Sequence, residues 1–316
     1  MKKSLCSEFQ GSEAFLIKIV KEVNLLLLPE TANIPECVIF PSDYFNPRQV
    51  DPDLQAEYHA ASGMYRCIVF DYEKWFYGNR FALSEHPAQD IPAIYRGWMM
   101  KPEQYALFYQ ALREQHICLM TSPEAYQKFH LFPLIYPEIQ KDTARILVYP
   151  DGIPVNLAQV KKNFSKFLVK DYVKSAKGSG FPDFFDDSVT QEEFDRAMTV
   201  FYRDRAGLYT GGICIKEFLE LKRYDNFKNE YRIFVVNHKI AGIYKNSHQP
   251  EQAQAFPVEL LQDYQALDSP FYTIDCAELT DGTWKIIETG DGQVSGLPDG
   301  ICPVDFFRTL GQCFQE

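Results

Sequence analysis

Between Phe167 and Gly296 the chain carries strand-length apolar runs interrupted by charged residues, and this stretch constrains the fold most. Its later runs follow one another in hairpin order, joined by Asn-His at 237–238 and Asp-Gly at 281–282. An Asp-Gly pair between apolar runs is a strong hairpin signal. The C-terminal half is therefore predicted to be an antiparallel sheet with flanking helices. The segments read FLVKDYVKSAKGSG (167–180), GGICIKEFLELK (211–222), NEYRIFVVNHKIAGIYKN (229–246) and FYTIDCAELTDGTWKIIETGDG (271–292).

The preceding part has a different pattern, in which short apolar runs alternate with helix-length spacers. Pro52 and Pro102 stand where the first turn of a helix is expected. Short runs rich in Ile, Val, Cys and Tyr, separated by helices, are typical of a parallel sheet. A further helix is predicted from Thr190 to Arg205, with Thr190 and Glu193 as a capping box. The apolar runs are CVIF (37–40), RCIVFDY (66–72), AIYRGWMM (93–100) and HICLMTS (116–122).

These patterns predict the domain organisation. The chain of 316 residues is long enough for roughly two domains of about 150 residues each. We expect an N-terminal helical extension (1–35), an α/β domain (36–145) and an α+β region (146–316). The last region is expected to comprise a lid at roughly 146–215 and an antiparallel sheet at 213–300.

Composition narrows the classes of partner. The net charge is −11, and the 32 lysines and arginines are spread along the chain instead of forming a basic block. A nucleic-acid partner is therefore not expected. The eight cysteines include no C-x-x-C pair, and several lie within apolar runs. Buried free thiols in a reducing compartment explain them better than disulfides or a zinc site.

The N-terminus begins MKKSLCSEFQGSEAFLIKIVKEVNLLLLPE, in which two lysines precede an apolar segment as in a signal peptide. Charged residues interrupt that segment, and no run of about 20 apolar residues occurs in the chain. The apolar positions from Phe15 to Val23 have helical spacing, which predicts an amphipathic helix. A cytoplasmic protein with no membrane partner is expected.

Lys170 follows the apolar run FLV, and Lys174 lies four residues on, before a loop that contains Gly178 and Gly180. Ammonium groups beside a loop whose backbone N–H groups can turn inward suit the oxygens of a triphosphate. Lysine-rich loops are also common on solvated surfaces. The segment IKEFLEL offers backbone groups for an adenine edge and Glu217 or Glu220 for ribose hydroxyls. Alternatively, it is an edge strand with solvent-facing charges.

In NEYRIFVV, Glu230 and Arg232 are expected on one face of a strand. Arg232, together with Lys245 on the following strand, would stabilise charge on a transferred phosphoryl group. A cross-strand Glu-Arg pair of purely structural role is the alternative.

Asp275 and Glu288 are equally distant from the turn at 281–282, with five residues between Asp275 and Asp281 and five between Gly282 and Glu288. The two carboxylates are therefore expected to face each other across a strand pair. Like charges so placed repel unless something positive lies between them. Mg²⁺ that also binds nucleotide phosphates fits this requirement. Asp291 is expected to be a third ligand or to position an acceptor.

Taken in this order, the residues resemble the ATP-grasp superfamily over roughly positions 117–296. The resemblance implies an α/β ATP-grasp fold with a preceding α/β domain. It assigns Lys170 and Lys174 to the nucleotide beside the glycine loop, and Asp275 and Glu288 to Mg²⁺. Arg232 is similar to the phosphate-contacting arginine, a role that Lys245 would share. The adenine hinge and ribose acid would be Glu217, Phe218, Leu219 and Glu220.

Two further points follow from the resemblance. LMTSPEAYQKFHLFPLIY is similar to the segment with a first nucleotide lysine, which would be Lys128. The segments YRGWMM, VKDYVKS, NEYRIFV and IIETGDGQVSGLP resemble those of a bacterial and phage branch of the superfamily whose substrates are mostly unassigned. A more distant likeness is to the eukaryotic cell-division-cycle ATP-grasp protein that assists assembly of a translation initiation factor. Many members have Asn two residues after the metal-binding Glu, whereas this chain has Gly290.

The resemblance implies an ATP- and Mg²⁺-dependent ligase that joins a small-molecule or peptide carboxylate to an amine through an acyl phosphate. The competing hypothesis is an ATP-binding assembly factor for a partner protein, with little or no turnover. A kinase or nucleotidyl transferase is disfavoured because the chain has neither a GKS/T loop nor an HRD-DFG pair. Arg96 is the candidate for holding a substrate carboxylate, since its planar fork can engage both oxygens. An arginine stacked on aromatic residues is the alternative, and His130 and Arg48 are further nominees.

Overall fold

The computed structural model describes residues 34–78, 80–176 and 180–315, so the predicted helix at 15–23 lies outside the described residues. The strands are β1 (Cys37–Pro41), β2 (Arg66–Phe70), β3 (Ile91–Tyr95), β4 (Ile117–Leu119), β5 (Ile146–Pro150), β6 (Lys166–Asp171), β7 (Phe185–Asp186), β8 (Gly212–Glu217), β9 (Arg223–Tyr224), β10 (Phe227–Lys228), β11 (Glu230–Val236), β12 (Lys239–Lys245), β13 (Phe271–Glu278) and β14 (Trp284–Asp291). The α-helices are α1 (Gln55–Ser62), α2 (Tyr72–Gly78), α3 (Pro102–Arg113), α4 (Pro123–His130), α5 (Phe132–Ile139), α6 (Leu157–Asn163), α7 (Gln191–Arg205) and α8 (Pro303–Gln315).

The first sheet is parallel, in the order β2-β1-β3-β4, which confirms the α/β interpretation of the N-terminal runs. Its strands are short and buried, and helices cover both faces, as parallel sheets require. Pro102 stands at the first turn of α3, and Pro52 begins a short 3₁₀ turn before α1. Both prolines therefore start helical segments where the sequence predicts them.

The middle sheet is antiparallel, in the order β5-β8-β6-β7, and packs on α6 and α7. Helix α7 begins after Thr190, whose hydroxyl accepts a hydrogen bond from the Glu193 backbone N–H, so the predicted capping box is present. Strand β8 lies between β5 and β6 and not at an edge, so the edge-strand alternative is wrong. It also belongs to this sheet instead of pairing with the later strands, with which its sequence grouped it.

The third sheet is antiparallel, in the order β12-β11-β13-β14. The turn between β11 and β12 is Asn237-His238, as predicted, and both residues have positive φ (47° and 63°), as a tight two-residue hairpin turn requires. Phe234, Val236 and Phe271 on one face of this sheet share a buried cluster with side chains of the first sheet and of α8. The first and third sheets are therefore held by one continuous apolar core.

Arg96, just after β3, links the parallel sheet to the loop that follows β14. Its guanidinium donates to both carboxylate oxygens of Glu57 (2.7 and 2.8 Å) and to the backbone carbonyls of Gly292 (2.5 Å) and Ser295 (2.9 Å). The side chain is 2% exposed, so its planar fork is committed to the protein. The expectation that Arg96 holds a substrate carboxylate is corrected accordingly, because Glu57 already occupies the bidentate position. The ring it lies over is that of buried Phe306, not a surface aromatic.

Two other expectations concern the described part of the chain. No helix there combines the length and apolarity that a membrane crossing needs. The cysteines at 37, 67, 118, 214, 276, 302 and 313 are free thiols, and of these only Cys302 is exposed.

Arg96→Met is expected to lower the free energy of unfolding by about 3–5 kcal/mol, because it leaves the buried Glu57 carboxylate without its partner. Urea denaturation followed by fluorescence measures the change. The matched control is Arg66→Met, which breaks the exposed pair with Glu85 and should cost under about 1 kcal/mol. Equal losses in the two variants would contradict the assignment.

Candidate active site

A cleft of about 140 Å³ opens beside the edge strand β14. Its walls come from β11, β13 and β14, from the loop after β14, from the end of α4 and from the segment after β6. Arg232, Asp275 and Glu288 line it together with Lys174 and His130. Asp291 lines it as well, so six residues that the sequence nominated are brought to one place, from the third sheet, the segment after β6 and the end of α4.

Asp275 and Glu288 are direct cross-strand partners, as predicted, although not for the predicted reason. Toward the turn, the last residues paired between the two strands are Glu278 and Trp284. In the turn, Gly282 has φ +85° and its backbone N–H donates to the Leu279 carbonyl. The hairpin is thus centred on Asp281 itself, half a residue before the Asp281-Gly282 midpoint, which shifts the cross-strand partners by one residue. An extra residue, Ile287, then shifts the register between Asp275 and Cys276 and brings the two carboxylates opposite each other.

Each carboxylate has its own cation. Arg232 donates to both oxygens of Asp275 (2.9 and 2.7 Å), and a third N–H reaches the carbonyl of Gly296 at 2.9 Å. Lys170 Nζ lies 3.1 Å from Glu288 Oε1. Burial tends to raise the pKa of Glu288, but the charge and hydrogen bond of Lys170, together with the charges of Lys216 and Lys174, outweigh it and the net shift is downward. The negative charges of Asp275 and Glu288, called the acid pair below, are therefore balanced by protein cations. Arg232 pairs with Asp275 and not with Glu230, the partner in the structural alternative.

The pKa of Asp275 moves the other way from that of Glu288. Its burial outweighs the opposing effect of Arg232 and raises the pKa of the carboxyl. A positive charge brought close to this carboxylate would therefore stabilise it.

Lys216 was missed by the sequence reasoning. It lies two residues after Cys214 on β8 and is buried beside Lys170, with its Nζ donating to the Ile287 carbonyl and lying 4.1 Å from the centre of the Phe132 ring. Burial, reinforced by the charge of Lys170, lowers the pKa of Lys216 to about 7. Strand alternation places Lys216 on the same face as Cys214, but only the fold shows that this face meets β14.

The loop after β6 is organised by Asp171, which is fully buried. Its Oδ1 accepts from the backbone N–H groups of Val173 and Lys174, both at 2.7 Å, and its Oδ2 accepts from Arg205 Nε at 2.8 Å. Lys174 thereby reaches the cleft lining. Gly180 has φ +83°, whereas Gly178 lies outside the described residues.

The predicted hinge, Glu217 to Glu220, leaves the end of β8. Arg145 donates to both oxygens of Glu217 (3.1 and 2.7 Å), and Lys166 lies 2.6 Å from Glu220. The Phe218 N–H donates to the Lys166 carbonyl. Glu217 and Glu220 are therefore each ion-paired with a protein cation, and their contact with a nucleotide stays a prediction.

Some nominated residues lie elsewhere. Lys128 pairs with Glu138 at 2.6 Å between α4 and α5, and Arg48 is exposed in the loop after β1. Lys245 pairs with Glu251 at 2.8 Å and lies opposite Tyr231, on the other face of the sheet from Arg232. The reason is an extra residue, Ala241, in β12, since such a bulge moves the following side chains to the other face. The expectation that Lys245 assists Arg232 is therefore wrong.

Asp291 is also separated from the acid pair. It lies opposite Tyr272, whereas Asp275 lies opposite Glu288, so strand alternation places Asp291 on the other face of the hairpin. No cluster of three or more His, Cys, Asp or Glu side chains suited to a metal occurs in the described ranges. Of the three predicted metal ligands, only Asp275 and Glu288 face each other, and such a pair suits an ion held by one or two carboxylates plus phosphates and water.

The acid pair keeps ligand capacity despite its ion pairs. A carboxylate offers about four lone-pair sites, so a bidentate arginine leaves the outer positions of Asp275 available. Lys170 engages one oxygen of Glu288, and this side chain is 44% exposed toward the cleft. The donor set is therefore compatible with a hard cation that prefers oxygen.

Comparison with known families gives a match over residues 156–310 to the family described as "ATP-grasp domain, R2K clade family 3". A search of curated proteins returns no match.

Several solved structures share the fold. D-cycloserine synthetase DcsG is similar at TM-score 0.56 and 13% identity, over 88% of this chain and 99% of that one. The ATP-grasp ligase PsnB, complexed with minimal precursor, Mg and ADP, is similar at TM-score 0.55 and 11% identity, over 89% and 98% of the two chains. D-alanine–D-alanine ligase from Bacillus anthracis, complexed with ATP, is similar at TM-score 0.54 and 14% identity, over 89% and 97%.

The family match covers the segment that contains Lys170, Lys216, Arg232, Asp275 and Glu288, and the fold likeness extends over both the parallel sheet and the later sheets. Residues 156–310 thus carry an ATP-grasp domain of this family.

Proposed function

We propose that this protein is an ATP-dependent ligase that joins a carboxylate to an amine through an acyl phosphate. The observation that carries the proposal is the cleft lined by Asp275, Glu288 and Arg232, behind which Lys170 pairs with Glu288 and Lys216 lies buried beside Lys170. Buried cations around an acid pair suit a nucleotide triphosphate bound with a divalent ion. The ligases that share the fold include proteins solved with ATP and with Mg and ADP, which supports ATP and Mg²⁺ as cofactors.

The residues divide the work by position. Lys170, Lys216 and Lys174 would bind the phosphates, and Glu217 to Leu219 with Glu220 would hold adenine and ribose. Asp275 and Glu288 would hold Mg²⁺, which when bound neutralises phosphate charge and orients the terminal phosphoryl group. Arg232 would stabilise the charge that develops on that group during transfer. Lys128 and Lys245 have no part in this scheme because each is paired elsewhere.

The proposed ligase reaction takes two steps. A carboxylate oxygen of the substrate forms a bond to the γ-phosphorus as the bond to the bridging oxygen breaks, and ADP leaves with the electron pair. The amine nitrogen then bonds to the acyl carbon as the carbon–oxygen bond to phosphate breaks, and one N–H proton ends on the released phosphate. Positioning and electrostatic stabilisation suffice for both steps. PsnB has been solved with a precursor peptide, which supports peptide as well as small-molecule carboxylates or amines as substrates.

The proposal is tested by incubating the purified protein with ATP, Mg²⁺ and pooled amino acids and peptides. Release of ADP and phosphate together with a new amide is the expected result. An assembly factor would instead retain one protein in a nucleotide-dependent manner without ADP release, and AMP as product would indicate a transferase.

Asp275→Asn and Glu288→Gln should each lower the rate of Mg²⁺-dependent ADP release by about 10²-fold or more, because each removes a preorganised charge beside the phosphates. The rate is measured by coupled assay at saturating ATP. Glu259→Gln is the matched control, since it neutralises an exposed carboxylate and should leave the rate unchanged. Turnover that survives in both site variants contradicts the metal assignment.

Lys170→Met is expected to weaken binding of AMPPNP with Mg²⁺ by about 10- to 100-fold, as the loss of one or two charge-assisted hydrogen bonds implies. Isothermal titration calorimetry measures the affinity. Lys162→Met removes an exposed ammonium from α6 and should change nothing. Similar affinities in the two variants would rule out Lys170 as a phosphate ligand.

AMPPNP binding at pH 8 should be accompanied by uptake of about one proton. The pKa of Lys216 is about 7 in the empty site, so its amine is mostly neutral at pH 8, and a nearby phosphate favours the charged form. Calorimetry in buffers of different ionisation enthalpy measures the uptake. Lys216→Arg keeps the charge at all pH values and should abolish the uptake while retaining binding. Equal uptake in the variant would assign the proton to another group.

A further inference from the structure

A second set of polar groups lines the same cleft from the other face of β14. Thr289 lies opposite Ile274 and Asp291 opposite Tyr272, so both side chains alternate with Glu288 and Gly290. The scheme above uses Glu288 but neither of these two residues. The cleft therefore has a side that is chemically distinct from its phosphate side.

Both residues carry a buried polar atom that lacks a hydrogen-bond partner, Oγ1 of Thr289 and Oδ2 of Asp291. Their side chains are almost fully enclosed, at 7% and 1% exposure. The other oxygen of Asp291 is fixed, since it accepts from the backbone N–H of Gln293 at 3.0 Å and from its side-chain amide at 3.2 Å. Because buried polar groups are nearly always paired, two such atoms lining one cleft mark a place where a ligand completes the hydrogen bonding.

The side chain of Gln293 links Asp291 to the parallel sheet. The Gln293 amide that holds it also donates to the Tyr105 hydroxyl at 2.9 Å and accepts from the Tyr95 backbone N–H at 3.0 Å. Arg96 fixes the same loop through the carbonyls of Gly292 and Ser295. The Asp291 carboxylate is thus held in place beside the cleft by the parallel sheet, with its other oxygen enclosed and unpaired.

The surroundings decide the kind of ligand. Met99, Phe129 and Val294 supply apolar walls, and His130 lies at the same end, stacked on Tyr126 with ring centres 5.0 Å apart. A carboxylate oxygen and a hydroxyl between apolar walls favour a group that donates N–H bonds and carries positive charge. Burial raises the pKa of Asp291 to about 7, so a cation beside it would stabilise the ionised form, and that form would repel a second carboxylate.

We propose that Asp291 and Thr289 bind the acceptor amine of the ligase reaction in its protonated form and select an amine over a hydroxyl acceptor, with the Asp291 carboxylate taking the extra proton before the nitrogen attacks. This inference rests on the proposed function, because it places the amine in the cleft where the acyl phosphate would form. Asp291 is then a substrate ligand and not a third ligand of the metal. His130 forms part of the wall against which the amine packs.

The test uses the full chain saturated with AMPPNP and Mg²⁺ and two probes of nearly equal shape. Glycinamide carries a primary amine, and glycolamide carries a hydroxyl at the same position. Ligand-observed NMR titration should show that the wild type binds glycinamide about tenfold or more tightly than glycolamide. Asp291→Asn should lose about tenfold for glycinamide, and Thr289→Val about threefold.

Asp299→Asn is the matched control, since it makes the same charge change at a side chain that is 90% exposed and should leave the affinity unaltered. Urea denaturation of each variant checks folding, and Thr289→Val keeps the test valid if Asp291→Asn fails to fold. Equal binding of the two probes, no detectable binding of glycinamide to the wild type, preference for acetate, or unchanged affinity in both variants overturns the inference.

Failure of this inference can be told apart from failure of the proposed function. Mg²⁺-dependent binding of AMPPNP should be unchanged in Asp291→Asn, and its loss would make Asp291 a metal ligand and overturn the amine assignment. If the wild type binds no AMPPNP with Mg²⁺, the nucleotide site itself is refuted, whatever the probes show.

Discussion

The site depends on how two like charges are held face to face. Asp275 and Glu288 are cross-strand partners, and two carboxylates in that position repel each other unless each is compensated. Compensation comes from two directions, since Arg232 extends along the same sheet and Lys170 comes from the middle sheet. The pairing therefore constrains the third sheet internally and also fixes where the middle sheet must approach it.

The burial of two lysines is expected to give the cleft an affinity for anions. Lys170 and Lys216 are neighbours on one face of the middle sheet, and Glu288 is the carboxylate whose charge acts on both. Desolvation and mutual repulsion leave Lys216 poorly stabilised in its charged form, which an incoming phosphate corrects. On the other face of β14, the enclosed oxygens of Thr289 and Asp291 lack hydrogen-bond donors. One side of the cleft therefore suits an anion and the other suits a group that donates hydrogen bonds.

Much of this arrangement was predictable because it depends on local patterns. The parallel and antiparallel sheets follow from strand length and spacing, and the capping box at Thr190 defines the start of α7. The facing of Asp275 and Glu288 was predicted correctly only because an offset hairpin centre and the extra residue Ile287 cancel. In β12 no second irregularity offsets the extra residue Ala241, which therefore moves Lys245 to the face opposite that of Arg232. Bulges of this kind leave no clear sign in the residue types around them.

What the sequence could not show depends on long-range contacts. Arg96 finds Glu57 and the loop after β14, which are 39 and 196 or more positions away, and these partners exclude the substrate role that its own neighbours suggested. Lys216 looks like an ordinary charged residue at a strand end until β14 covers it. The division of the chain at 36–145 and 146–316 stays a prediction, since the shared apolar core of the first and third sheets offers no sharp boundary.

The ion pair between Lys170 and Glu288 joins the middle sheet to the third sheet beside the cleft. A cation that takes Glu288 frees the ammonium for an anion, and an anion that takes the ammonium frees Glu288 for a cation. Either ligand thus removes the competitor of the other, and thermodynamic reciprocity requires the two effects on affinity to be equal. Under the proposed function, this one ion pair would therefore make metal and nucleotide bind cooperatively.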